Sequence, residues 1–242
     1  MIVLKNVNRI YGKDDNAVHA LKDVNLVIED AKFTAILGKS GSGKSTLMNI
    51  IGALDTPTSG QIFNDKTDLS KLNEDQLADY RNKTTGFVFQ SFYLEPSYTV
   101  LENVAMPLTI AGVDRKTREE KAKEIITKLG LESKVNKKAN ELSGGQKQRV
   151  SIARALISNP SLILADEPTG NLDSQNGAEV MALLKEVVRM GKSVVLVTHN
   201  MEDAKNADNL VYIKDGVVTA DYMKKYVFKN DSNKEVKQAK GQ

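Results

Sequence analysis

Residues 33–51 read Phe33-Thr-Ala-Ile-Leu37-Gly38-Lys39-Ser40-Gly41-Ser42-Gly43-Lys44-Ser45-Thr46-Leu-Met-Asn-Ile-Ile51, an apolar run, a glycine-rich turn and a segment with Leu47, Ile50 and Ile51 at helical spacing. The run Phe33–Leu37 predicts a buried strand, and the segment from near Gly43 predicts a helix. Between them, Gly38–Thr46 fill the phosphate-binding P-loop pattern. Glycines let the backbone curl so that successive N–H groups converge on phosphate oxygens, and the helix dipole adds to the attraction. Lys44 supplies a mobile positive charge for the β and γ phosphates, and the Ser45 hydroxyl is placed to coordinate Mg²⁺.

A loop of this kind needs a carboxylate across the site. Leu162-Ile-Leu-Ala-Asp166-Glu167 provides one, an apolar strand that delivers acids at its C-terminal end, the edge where ligands bind in parallel sheets. Asp166 is the candidate magnesium partner through water, and Glu167 the candidate general base for an attacking water. The strand expected over Ser193–Thr198 ends on His199, whose neutral imidazole suits a hydrogen bond to a γ phosphate and the water. A histidine at a strand end is more often structural, so this reading needs support from elsewhere in the chain. His19 carries no functional expectation.

The composition bounds the alternatives. With 242 residues, 40% hydrophobic and 27% charged, the chain is expected to form one or two soluble globular domains. The absence of cysteine excludes disulfides, thiolate nucleophiles and thiolate metal sites, and two histidines leave little for a histidine-rich metal centre. No run approaches the roughly 18 to 20 apolar residues that cross a bilayer, and Met1–Asp15 lacks the basic-then-apolar pattern of a signal segment. Membrane association is therefore expected only through another chain. The net charge of +3 sits in residues 221–242, where six lysines face three acids. That stretch is expected to be a basic, flexible tail, and nucleic acid is not an expected partner.

Elsewhere, Ile2–Leu4 and Val24–Ile28 predict strands of a small antiparallel unit, and Gly86–Gln90 another apolar run. Thr117–Leu131, Gln146–Ser158, Gly177–Met190 and Glu202–Ala207 predict helices, and a strand pair turns at Asp215-Gly216. Alternating strands and helices imply an α/β fold with a mostly parallel sheet. The expected organisation is a nucleotide-binding core from residues 1–90 and 159–220, including the antiparallel β unit, with an inserted α-helical lobe over 91–158.

Leu142-Ser143-Gly144-Gly145-Gln146 opens a helix about twenty residues ahead of the acidic strand, and resembles the signature of ABC-type ATPases. The resemblance covers roughly residues 1–220. It implies a P-loop NTPase (ABC-type ATPase) core that hydrolyses ATP with Mg²⁺. It also implies a homodimer, in which Ser143, Gly144, Gly145 and Gln146 of one copy face the γ phosphate held by the P-loop of the other. By the same resemblance, Tyr11 is the aromatic residue that stacks on adenine and Gln90 the Q-loop glutamine that contacts Mg²⁺ and water. Asp173 is the D-loop aspartate at the dimer contact, and His199 becomes the switch histidine. Two positions depart from the family pattern: Ala31-Lys32 stands where Gly-Glu is usual, and Ala139 where a proline often precedes the signature.

Leu54–Gly60, Phe87–Gln90, Leu101–Val104 and Asp166–Asp173 look most like the MacB/LolD branch. That likeness implies an ATPase subunit at the cytoplasmic face of the membrane, driving export of a peptide, macrolide or lipoprotein-like cargo through a separate membrane subunit. A periplasmic or extracellular adaptor is among the partners it implies, and an FtsE-like regulatory ATPase that signals without transport is the alternative. Phe92, Tyr93 and Leu94, with Tyr98, place bulky groups in a stretch too polar for a core strand and are the expected docking face for the membrane subunit. Lys44 and Ser143 lie 99 residues apart, which leaves no room for the long coiled coil of the repair-type ABC ATPases.

Overall fold

The computed structural model describes residues 1–221, so the basic tail beyond that point lies outside the described residues. Its larger sheet has six strands in the order β10-β9-β3-β8-β7-β6. These are β3 (Phe33–Leu37), β6 (Thr85–Phe89), β7 (Leu162–Asp166), β8 (Ser193–Thr198), β9 (Asn209–Lys214) and β10 (Val217–Asp221). All neighbours run parallel except the β9–β10 hairpin. Every residue of β3 and β8 is buried, which is why these strands read as unbroken apolar runs and not as alternating ones. The register aligns their C-terminal ends: Leu37 stands opposite Thr198, Asp166 opposite Val197, and Phe89 opposite Asp166. The residues that follow, Gly38, Glu167, Gln90 and His199, therefore leave the sheet along a single edge.

A second, antiparallel sheet joins β1 (Ile2–Tyr11), β2 (Val18–Ile28), β4 (Ser59–Asn64) and β5 (Thr67–Asp68) in the order β2-β1-β4-β5. Here β1 and β2 run well beyond the short apolar segments expected from the sequence. Apart from the buried Val7 and Leu21, their outer halves are exposed or half-exposed and pair through backbone ladders with irregular register between Leu4 and Ile10, so no apolar alternation marks them. Helix α1 (Lys44–Ile51) lies between the two sheets. Its Leu47, Met48, Ile50 and Ile51 pack with Leu4, Val7 and Ile62 on one side and with Leu164, Val195 and Val197 on the other.

The opposite face of the large sheet is covered by α3 (Val100–Ile110), α4 (Arg115–Lys128), α5 (Gly144–Leu156) and α6 (Ser174–Arg189), with the short α7 (Met201–Ala204) after β8. Helix α2 (Glu74–Thr84) precedes β6. Helix α2 has little periodic signal, burying only Leu77, whereas α3 buries Val100, Asn103, Val104 and Leu108 at helical spacing with Pro107 inside it. Both begin with capping boxes, Asn73 with Gln76 and Thr99 with Glu102. The apolar faces of α3, α4 and α5 merge with those of β3, β7 and β8 into one cluster, so the helical block shares its core with the sheet.

Candidate active site

The start of α1 differs from the other long helices. Side chains of Asn73, Thr99, Asp114, Ser143 and Asp173 cap α2 to α6, whereas α1 starts at Gly43, with φ 103° and no side-chain cap. Its first N–H groups thus keep their donor capacity for an anion. Glycine at 43 is also a steric need, since a Cβ there would stand 2.6 Å from the Ala20 carbonyl oxygen. Lys44 is 6% exposed, and its Nζ donates to the Lys39 carbonyl oxygen at 2.8 Å, which holds the ammonium inside the loop. Gly41, Ser40 and Thr46 complete the turn, and the Ser45 hydroxyl is hydrogen-bonded to Asp166.

Asp166 ends β7 directly across from this loop. Burial and the neighbouring Glu167 charge push its carboxyl above the ordinary range, against the opposing pull of Lys44 and Ser45. Such a carboxylate favours an added cation beside it. Glu167 takes a left-handed φ of 44°, uncommon for a residue with a Cβ, and its N–H donates to the Val197 carbonyl oxygen at 2.8 Å. This turn sends the carboxylate toward His199, whose Nδ1 lies 2.8 Å from Glu167 Oε1. The two residues that sequence reading assigned to base and switch are therefore direct neighbours.

Gln90 leaves β6 beside Asp166 and joins the loop that follows Glu167. Its Nε2 donates to Asn171 Oδ1 at 3.2 Å, while Asn171 Nδ2 donates back to the Gln90 carbonyl oxygen at 3.1 Å. Gly170 sits against the same amide, where a Cβ would come within 2.6 Å of Nε2. With its nitrogen engaged, Gln90 keeps Oε1 for a metal or water. Ser45, Asp166 and Gln90 offer only hard oxygen donors and little negative charge, a set that suits Mg²⁺ completed by phosphate and water. Among the described residues no cluster of three His, Cys, Asp or Glu could hold a metal without such help.

A second group gathers at the start of α5. Ser143 Oγ accepts from Gln146 N at 3.3 Å, and Gln146 Oε1 accepts from Ser143 N at 3.1 Å, leaving the hydroxyl proton of Ser143 to donate outward. Gly144 packs near Leu172, and Gly145 lies so close to Asn176 that a Cβ would stand 2.0 Å from its Oδ1. Asn176 is in turn fixed by Asp173, which caps α6 through Oδ1 at 2.9 Å. These backbone hydrogen bonds, with the Asn176 side chain, hold the Asp173 carboxyl below its usual range.

Tyr11 stands apart from both groups, on the antiparallel sheet, with 38% of its surface exposed. Sequence reading missed the residues around it, Arg9 and Asp55, and it also missed Asn171 and Arg154. Arg154 donates to the carbonyl oxygens of Phe92, at 2.7 Å, and of Tyr93. Arg9 was legible in principle, as a strand residue two positions from Tyr11; the others are contacts between distant segments with no local signal. Of the bulky docking candidates, Tyr93 is exposed, Phe92 is half-buried and Leu94 packs onto the core.

The fold and this site define a P-loop nucleotide hydrolase with a second glycine-rich helix start. A profile of the ABC transporter family matches residues 21–170. YvrO of Bacillus subtilis (strain 168), an uncharacterized ABC transporter ATP-binding protein, is 47% identical over 91% of this chain and 96% of its own length. The macrolide export ATP-binding/permease protein MacB of Aggregatibacter actinomycetemcomitans is 48% identical over 94% of this chain. The chain spans about a third of that relative, 35% of its length. The dimeric structure of MJ0796, a bacterial ABC transporter cassette, superposes with a TM-score of 0.82 at 47% identity, covering 90% of this chain and 96% of that one. A post-hydrolysis dimer of the same cassette, bound to ADP and Pi, also reaches 0.82 at 46% identity, over 90% and 96% of the two chains. The chain belongs to the ABC transporter family, as an ATP-binding cassette and ATP hydrolase.

Proposed function

We propose that this cassette is the ATPase subunit of an exporter, working as a homodimer at the cytoplasmic face of the membrane and coupled to a separate membrane subunit. The observation that carries the catalytic part is the shared sheet edge, at which Gln90, Asp166, Glu167 and His199 end or leave their strands and from which the loop after β3 leads to Lys44 and Ser45 at the start of α1. Export is supported by the MacB relatives, whose name couples an ATP-binding part with a permease. Among the described residues, no helix is long and apolar enough to cross a membrane.

The P-loop amides of Gly38 to Thr46 and the Lys44 ammonium bind the phosphate chain, and the Tyr11 ring stacks on the base. Ser45 and Gln90, with Asp166 through water, would hold Mg²⁺, which would neutralise charge on the phosphates. Glu167 orients the attacking water and takes its proton, while His199 fixes the Glu167 carboxylate and contacts the γ phosphate. Ser143, Gly144 and Gly145 of the second copy donate to the same phosphate, with Gln146 holding Ser143 in place and Asp173 at the contact between copies. Closure then shifts the helical block, and Tyr93 and Tyr98, 67% and 46% exposed, pass that shift to the membrane subunit.

Glu167→Gln tests this. ATP binding is retained, hydrolysis falls by about a hundredfold or more, and an ATP-dependent dimer accumulates in size-exclusion chromatography. Hydrolysis at the wild-type rate would sink the assignment of Glu167 as base.

A further inference from the structure

We propose that Asp55 is a positioning residue for nucleotide binding, which locks the Tyr11 ring to the far end of the phosphate-loop helix. The proposal rests on the reading of Tyr11 as the base-stacking residue. Arg9 and Tyr11 stand two apart on β1, and the Arg9 guanidinium lies over the tyrosine ring, 4.5 Å from its centroid. Asp55 holds both. Its Oδ2 accepts from the Tyr11 hydroxyl at 2.6 Å and from Arg9 Nε at 2.9 Å. Its Oδ1 accepts from Arg9 Nη2 at 2.7 Å and from the Thr56 N–H at 2.8 Å. With four donors on two oxygens, the carboxylate has one orientation available to it. The pair is sheltered, the Arg9 and Asp55 side chains being 23% and 19% exposed, so it is not a loosely solvated surface contact.

The backbone of Asp55 is tied just as directly. The N–H groups of Leu54 and Asp55 both donate to the Asn49 carbonyl oxygen in α1, at 2.8 and 3.2 Å. Thr58 then anchors the other side of the turn, its N–H donating to the Asn8 carbonyl oxygen at 2.8 Å and its Oγ1 accepting from the Ile10 N–H at 3.0 Å. A continuous run of contacts thus joins the helix that begins at the phosphates to the ring that receives the base. Arg9 occupies one face of that ring, which leaves the opposite face for a nucleobase. Phosphate cradle and base platform become one rigid body, set for a nucleotide of fixed length.

The experiment compares Asp55→Ala, Tyr11→Phe and Tyr11→Ala by two readouts: half-saturation by MgATP, and the inhibition constant of inorganic tripolyphosphate, which has the phosphate chain but no base. Half-saturation rises about fivefold in Asp55→Ala and about twofold in Tyr11→Phe, the size expected for loosening one aromatic contact, with tripolyphosphate unchanged in both. Tripolyphosphate weakening in step with ATP would make Asp55 a general support of the loop and overturn the proposal. An unchanged ATP value in Asp55→Ala, where Tyr11→Ala raises it, overturns the proposal but spares the stacking role. No effect in Tyr11→Ala removes the stacking role and the proposal with it. Tyr11→Phe keeps the Arg9–Asp55 pair, and so decides the matter even if Asp55→Ala fails to fold.

Discussion

The helix starts at Gly43 and at Ser143 are both glycine-rich and both lie at the proposed nucleotide sites, yet they are built differently. At Gly43 nothing from the protein caps α1, and a lysine 6% exposed stands inside the turn. At Ser143 a reciprocal capping box with Gln146 engages the Ser143 and Gln146 N–H groups and leaves those of Gly144 and Gly145. The first start is a site that needs an anion to complete it. The second is already capped as a folded element and has the Ser143 hydroxyl proton and the Gly144 and Gly145 N–H groups left to offer. An uncapped start suits tight binding by a single copy, and a capped one suits a contact made and broken in each cycle.

Substitution at the two starts should separate these roles. Lys44→Ala removes the charge from the open site, and ATP binding and hydrolysis both fall, hydrolysis by about a hundredfold or more. Ser143→Asp replaces one good N-cap by another, so the protein keeps its melting temperature and a single copy still binds ATP. Hydrolysis is lost to a similar degree, because a carboxylate now faces the γ phosphate of the second copy. If Ser143→Asp hydrolyses ATP normally, α5 does not face a phosphate and the contrast collapses.

A smaller effect sharpens the open site. The Asp166 carboxyl sits above its ordinary 3.8 through burial and the Glu167 charge. The folded protein therefore binds that proton more tightly than the unfolded chain, so the ionised carboxylate costs stability. The cost is absent well below pH 3.8 and grows as pH rises through the raised folded value. Asp166→Asn should accordingly melt higher than the wild type at neutral pH while losing hydrolysis. The gain shrinks as pH is lowered toward 4. Calorimetry across that range checks it, and equal melting temperatures at pH 7 would show that Lys44 and Ser45 already balance the charge.

Much of the open site was legible because its parts are local. A buried strand, a glycine turn and an amphipathic helix follow one another between Phe33 and Ile51, and each has its own periodicity or steric signature. Asp166 and Glu167 were legible for a related reason, as acids that end an apolar strand on the edge where parallel sheets bind ligands, whereas the reading of His199 rested on the family resemblance. The α5 start was recognised by family resemblance, since a capped glycine pair alone says little about chemistry. What stayed hidden depends on distant segments meeting. Gly145 needs Asn176, Gln90 needs Asn171, and Tyr11 needs Asp55, and none of these pairs leaves a periodic mark. The outer halves of β1 and β2 were missed because their ladders hold mostly exposed or half-exposed side chains.

The two helices also differ at their far ends, where the smallest effect is expected. The turn beyond α1 carries Asp55 to the base platform, whereas the last turn of α5 carries Arg154 to the segment proposed to meet the membrane subunit. Phe92 and Tyr93 are consecutive residues with left-handed φ of 61° and 46°, a backbone that costs about 1–3 kcal/mol per residue and persists only where neighbours impose it. The Arg154 guanidinium donates to both of their carbonyl oxygens through its fork. Burial lowers the Arg154 pKa from an ordinary value so high that the charge remains. Lysine keeps that charge but offers a point in place of a planar fork. Arg154→Lys should therefore shift the melting temperature by about 2 °C or less, the effect of well under 1 kcal/mol in a chain of this size. Amide exchange over residues 91–98 should nevertheless speed up several-fold, because the strained pair loses one of its two anchors. Unchanged exchange there would mean that the turn is held by its own backbone, and that α5 is tied to the docking segment no more closely than α1 is.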